Sequence, residues 1–121
     1  TAARVVDAAL DALEARGGRA ERAWAFFGPS ISRDVYEVGP EVVASLDHSL
    51  PEGAVAPGKG DRSWLDVAAC NEAALRRRGV RAERIARPRL CTFLSPGRFS
   101  SYRRDGEKAG RIWTGAVLRP R

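Results

Sequence analysis

The sequence has no methionine, a single histidine, two cysteines, and lysine only at Lys59 and Lys108. Each scarcity removes a class of function. One histidine and the distant pair Cys70 and Cys91 cannot complete a zinc site or a multicopper site within these residues. There is no CxxC pair and no Cys/His spacing of the metal-binding kind, and two cysteines do not make a disulfide scaffold. A reduced, cytoplasmic setting suits such thiols. No apolar run approaches the ~20 residues that a membrane-spanning helix needs, and no secretory-signal pattern is visible. No serine–histidine–acid set is legible either, and His48, beside Asp47 near a helix end, reads as a surface residue. The first residue is Thr1 and a helical pattern follows at once, which reads as a piece whose missing part is N-terminal.

What is present is arginine. All but two of the 21 basic residues are arginines, and the net charge is +6. Guanidinium groups bind phosphate and carboxylate in a bidentate way that lysine cannot match. The same enrichment also follows from coding bias. A basic balance admits nucleic acid, nucleotides or small acids as partners. With 121 residues, 44% of them hydrophobic, the chain is long and apolar enough for one core.

The hydrophobic pattern alternates helices with short strands. Val5, Val6, Ala9, Leu10 and Leu13 form one helical stripe, stopped by Gly17 and Gly18. Trp24 to Phe27 read as a buried strand closed by Gly28-Pro29. Gly39 and Pro40 sit at an N-cap and first helical position, with an end near Leu46. Residues 51–62 read as a mobile loop rich in proline and glycine. A second helix covers "SWLDVAACNEAALRRRGV", with Leu65, Ala68, Ala69 and Leu75 inward and Cys70 on the apolar side. "AERIARP" reads as a short strand, and "RIWTGAVL" at 111–118 as the clearest one, apolar on both faces. The pattern predicts an α/β fold, a mixed sheet with helices packed on it.

Two stretches carry candidate chemistry. "FFGPSISRDVYEVG" puts Ser30, Arg33, Tyr36 and Glu37 on a turn after a strand end, where α/β sheets form sites. "SSYRRDGEKAGR" gathers Tyr102, Arg103, Arg104 and Arg111 around the Asp105-Gly106 turn signal. Arg103 and Arg104 are adjacent and so cannot share one direction; one faces a site while the other pairs with Asp105. Read alone, this loop is equally a charged surface turn and an anion site. Cys91 starts "CTF" after an apparent strand, where it could line a cleft, and a packing role is the favoured expectation.

These stretches, with "WLDVAACNEAALRRRGV" at 64–80 and "CTF" at 91–93, resemble the YfiH-like, laccase-domain family, also described as multicopper polyphenol oxidases or purine nucleoside phosphorylase-like proteins. They run in the family's order, and the resemblance covers essentially the whole chain as its C-terminal half, part of a larger single domain. It implies a zinc site of two histidines and a cysteine on Asp-Cys and His-Ala-Gly-Trp-Arg-Gly elements, neither of which occurs in these 121 residues. His48, Cys70 and Cys91 do not match those positions. The implied activity is phosphorolysis of adenosine or inosine, with adenosine deamination as a second. Purine nucleoside and phosphate are then the partners, and Arg103, Arg104 and Arg111, with Tyr102, Ser30, Tyr36 and Glu37, the expected contacts. The isolated chain is expected to be inactive and to expose apolar faces that favour self-association. Older naming implies copper-dependent phenol oxidation, and a link to peptidoglycan-precursor editing also goes with the family. A basic nucleic-acid-binding module is a third class. Against it, Trp24, Trp64 and Trp113 lie in core-like segments rather than on a basic stripe.

Overall fold

The computed structural model describes residues 1, 3–46, 50–117 and 119. His48 and Asp47 lie outside the described residues. The expected first helix forms as α1 (Val5–Glu14), which buries Leu10. Gly17 follows it at φ 80°, a left-handed conformation that side-chain-bearing residues rarely take. Next comes β1 (Ala25–Phe26), then a single 3-10 turn at Arg33–Val35, and β2 (Glu37–Val38). Pro40 opens α2 (Pro40–Ala44) behind Gly39, where its missing N–H costs nothing.

The Pro/Gly-rich stretch is not loop throughout. Val55–Pro57 is a strand, β3, and it forms a hairpin with β4 (Ser63–Leu65). The expected second helix is therefore shorter than its apolar pattern. Ser63 to Leu65 pair as a strand, and α3 (Val67–Arg77) begins only after Asp66, whose carboxylate accepts the Ala69 N–H at 2.8 Å. That cap decides the boundary. Leu65 points inward as expected, fully buried, though from a strand. Gly79 ends α3 at φ 91°. The chain closes with β5 (Ile85–Ala86) and a one-turn helix α4 (Tyr102–Asp105).

The fold is mixed α/β, with parallel and antiparallel pairing in two small sheets. β1 and β5 run parallel, Ala25 opposite Ile85 and Phe26 opposite Ala86. β2, β4 and β3 form an antiparallel sheet in that order. Each sheet has its own core. Val38, Leu46, Ala54, Leu65 and Cys70 pack between the antiparallel sheet, α2 and α3. Leu10, Ala20 and Val80 pack between α1, α3 and the parallel pair. Cys70 is completely buried, the packing role expected of it. Arg78 ties α1 to α3 by reaching the Asp7 carbonyl at 3.2 Å, Asp11 at 2.7 Å and Glu14 at 3.0 Å. Those three acidic residues recur at helical spacing on one face of α1.

One expectation fails. Residues 111–117 enter no strand and are exposed, with Trp113 95% and Val117 89% accessible; Leu118 lies outside the described residues. Apolar alternation shows that a segment can bury two faces, but a ladder needs a partner edge. Among the described residues none pairs with this segment. Trp24 is also half exposed rather than core.

Asp66 joins the two halves of this arrangement. Its carboxylate caps α3, and both of its oxygens accept from Nη2 of Arg87, at 2.7 and 2.8 Å. Its own N–H donates to the Ala54 carbonyl at 2.8 Å. Burial alone would raise the Asp66 carboxyl. The Arg87 hydrogen bonds and the Ala69 amide outweigh burial and hold it below the usual carboxylate range. A depressed folded value means stability that is present above the unfolded value of about 3.9 and lost as pH falls through the folded one. Asp66→Asn should cost about 1–3 kcal/mol at pH 7 and flatten the loss of stability below pH 4. Denaturant melts of both proteins across pH 2 to 7 check this; an unchanged acid limb would refute it.

Candidate functional site

β1 and β5 are parallel, so their carboxyl ends lie together, and that is where open α/β sheets form their crevices. Phe27 still pairs with β5, its N–H donating to the Ala86 carbonyl at 2.9 Å. The two segments meet again at Ser30 and Cys91, which form a parallel bridge. Ser30 donates to Leu90 and accepts from the Thr92 N–H, both at 3.1 Å. A cavity of about 370 Å³ opens against both segments. It is lined by Phe27, Ser30 to Asp34, Asp66, Ala68 and Arg87 to Cys91. Gly28, next to the lining residue Phe27, lies against Thr114, whose side chain a Cβ at position 28 would meet.

The cavity wall is basic, but its three arginines are not equivalent. Arg87 is engaged by Asp66 and by Glu72 at 3.3 Å, so it braces the wall. Arg33 donates one N–H to the Gly53 carbonyl at 3.1 Å, lies 3.9 Å from the Asp34 carboxylate, which also lines the cavity, and is half exposed. Arg89 is exposed at the mouth. Ser30 brings a hydroxyl.

Cys91 belongs to this wall, not to the core, which corrects the packing role expected of it. Its sulfur accepts from the Ser32 N–H at 3.3 Å and from the Ser32 hydroxyl at 3.1 Å. Burial would raise this thiol, but the Ser32 hydroxyl and the amides of Leu94, Ser32 and Phe93 more than offset it and pull the thiol below its ordinary value. Cys70 is the opposite case, pushed up by burial and by Asp66.

The other expected contacts divide into three groups. Tyr36, Glu37 and Arg103 come together although 66 residues separate the last two. The Arg103 guanidinium lies 4.9 Å from the Tyr36 ring centroid and donates to the Glu37 carbonyl at 3.0 Å. The Glu37 carboxylate accepts the Lys59 N–H at 2.8 Å, steadying the β3–β4 loop. Arg104 has a different use from the anion contact expected of it. Its Nε and Nη2 chelate Asp105, Nη1 serves the carbonyls of Thr92 and Phe93, and Nη2 also serves Phe99. All five N–H groups are taken, which leaves none for a ligand. The adjacent arginines thus diverge as expected, one on Tyr36 and one on Asp105. Tyr102, at 70% accessibility, and Arg111 are exposed and do not line the cavity. Sequence reasoning placed Arg33 on the turn after β1 but missed Arg89. The signal was its place just after strand β5, visible only once β1 and β5 are known to be parallel neighbours.

The donor set of this chain does not suit the zinc or copper that the resemblance implies. Among the described residues no three His, Cys, Asp or Glu side chains converge. Cys91 is surrounded by serine and arginine, and Cys70 is sealed in the core. At pH 7.5, iodoacetamide should label Cys91 faster than Cys70 by about tenfold or more. Mass spectrometry of the digested protein reads both sites, and equal rates would contradict the assigned environments.

Comparison with known proteins shows the family and the fold. A family model described as multi-copper polyphenol oxidoreductase laccase matches residues 1–119. An adenosine deaminase RL5 from an unknown prokaryotic organism is 32% identical over 118 residues, covering 95% of this chain and 45% of that protein. Purine nucleoside phosphorylase ORF3 of Streptomyces griseus is 37% identical over 118 residues, covering 92% and 45%. The crystal structure of YlmD from Geobacillus stearothermophilus superposes with a TM-score of 0.79 at 24% identity, over 85% of this chain and 40% of that one. The chain thus spans less than half the length of these relatives. With the family model matching nearly every residue and the fold shared, the chain belongs to the multi-copper polyphenol oxidoreductase laccase family, the YfiH-like proteins.

Proposed function

We propose that this chain forms one wall of a purine nucleoside-processing site whose reaction is phosphorolysis of inosine or adenosine. The observation that carries the reading is the arginine-lined cavity at the carboxyl ends of parallel β1 and β5. The names of the relatives, purine nucleoside phosphorylase and adenosine deaminase, support the substrate class. In phosphorolysis a phosphate oxygen bonds to the anomeric carbon while the C–N glycosidic bond breaks. The purine leaves with the bonding pair and takes up a proton. The sugar becomes cationic in passing, so an anion held beside it by fixed donors stabilises the transition state. Arg33, Arg89 and the Ser30 hydroxyl are the groups in the cavity that suit this task. Arg103 on Tyr36, Tyr102, Glu37 and Arg111 belong to the same proposal as outer contacts for the nucleoside.

The reading gives this chain the anion side of the site. Zinc, which the resemblance implies, finds no donor set among the described residues, so no step is assigned to it here. The exposed strip Ile112, Trp113 and Val117 supports self-association of the isolated chain. The experiment is an assay of purine base release from inosine by the protein that carries this chain, with and without phosphate. Base release should require phosphate. Arg89→Ala should raise the phosphate requirement by roughly tenfold or more, the value of a lost charged hydrogen bond. No turnover by the purified protein would sink the reading, and full activity of the 121 residues alone would sink the one-wall assignment.

A nucleic-acid reading draws on one observation. Trp24 and Phe26 stack at 6.3 Å, both half exposed, with Arg84 over the Trp24 ring at 5.5 Å. Single strands bind such platforms with steep salt dependence. Binding of a random oligonucleotide weaker than micromolar at physiological salt is expected, and tighter binding lost on Trp24→Ala would favour this rival.

A further inference from the structure

The parallel pairing of the two cavity segments makes its last backbone bridge at Ser30 and Cys91. There Ser30 donates to the Leu90 carbonyl and accepts from the Thr92 N–H. In an evenly spaced parallel ladder the next bond would run from the Ser32 N–H to the Thr92 carbonyl. That carbonyl accepts from Arg104 at 2.9 Å. The Ser32 N–H meets the Cys91 sulfur at 3.3 Å, and the Ser32 hydroxyl meets the same sulfur at 3.1 Å. Ser32 also precedes the 3-10 turn Arg33–Val35, where a serine hydroxyl ordinarily caps the amides that follow. Its side chain makes no cap bond. The hydroxyl is given to the thiol.

We propose that Cys91 is a positioning residue, whose sulfur stands in for the missing carbonyl acceptor and so seats the turn that brings Arg33 and Asp34 to the cavity wall. The turn is short and closed on itself. The Val35 N–H donates to the Ser32 carbonyl at 3.3 Å, and the Tyr36 N–H to the Arg33 carbonyl at 3.0 Å. Its direction therefore follows from how Ser32 is held. The far end of the Arg33 side chain is fixed separately, at the Gly53 carbonyl. One hold at the start of the turn and one at the guanidinium set where Arg33 stands. A thiol sulfur is a weak acceptor, but here it takes two donors from one residue in a partly buried place. What Arg33 binds rests on the phosphorolysis reading; how it is held does not.

The test reads the turn without nucleoside or phosphate, so its failure and the failure of the functional proposal are separate events. Amide hydrogen exchange is followed by nuclear magnetic resonance in wild type, Cys91→Ala and Cys91→Ser. In wild type the Ser32 amide should exchange roughly threefold or more slowly than a serine amide in an unfolded chain, the worth of one hydrogen bond. Cys91→Ala should speed Ser32 by about the same factor. The Val80 amide, bonded to the Leu75 carbonyl in the other core, should keep its rate. Cys91→Ser, whose hydroxyl can accept, should recover part of the protection. A folded alanine variant with wild-type exchange at Ser32 overturns the proposal. So does an equal rise at Val80, which would mean general loosening, or a serine variant no better protected than alanine. The wild-type rate needs no variant: a Ser32 amide as fast as in an unfolded chain overturns the proposal even where alanine fails to fold.

Discussion

The carboxylate of Asp66 is the joint of the molecule. It begins α3 by capping it, and it ends β4 because the cap forbids the helix from starting earlier. It reaches across to Arg87, in the segment that leaves β5, so the antiparallel sheet and the parallel pair are tied by one side chain. Such a pair is only partly withdrawn from water, and its value lies less in net energy than in where it holds its partners. With Arg87 committed to Asp66 and Glu72, the cavity has a braced side. Arg33 and Arg89 are left facing the opening.

Much of the fold was legible from pattern. The stripe of α1, the Gly39-Pro40 start of α2, the apolar side of α3 around Cys70 and the stop at Gly79 are local signals, each with a local cause. What stayed hidden was pairing. Ser63 to Leu65 continue the helical pattern of "SWLDVAACNEAALRRRGV", and only their partners in β2 and β3 make them a strand. Val55–Pro57 sits among prolines and glycines that mark a turn, yet it has an edge to pair with. Ile112 to Val117 have the better strand composition and, among the described residues, no edge to pair with. Strand propensity describes a surface that fits a sheet, not the presence of one.

The site shows the same division. Adjacent Arg103 and Arg104 had to point apart, and Asp105 was the natural partner for one of them. Which carbonyls Arg104 would reach was beyond the sequence, because they belong to a turn whose shape it helps to set. Cys91 read as packing for the same reason. Its neighbours in the chain are Leu90 and Thr92, whereas its chemistry comes from Ser32, 59 positions away. Tyr36, Glu37 and Arg103 were singled out separately and do meet, as an aromatic–guanidinium contact beside the β3–β4 loop.

Gly28 has a consequence for how this protein can vary. The space a side chain would take there is occupied by Thr114, so the turn that follows β1 and the seat of the segment at 111–117 are one contact. Two stretches 86 positions apart are thereby bound to change together. Any larger residue at position 28 must either displace the segment or be matched by a smaller one at position 114, a coupled pair that comparison of related sequences would show as covariation.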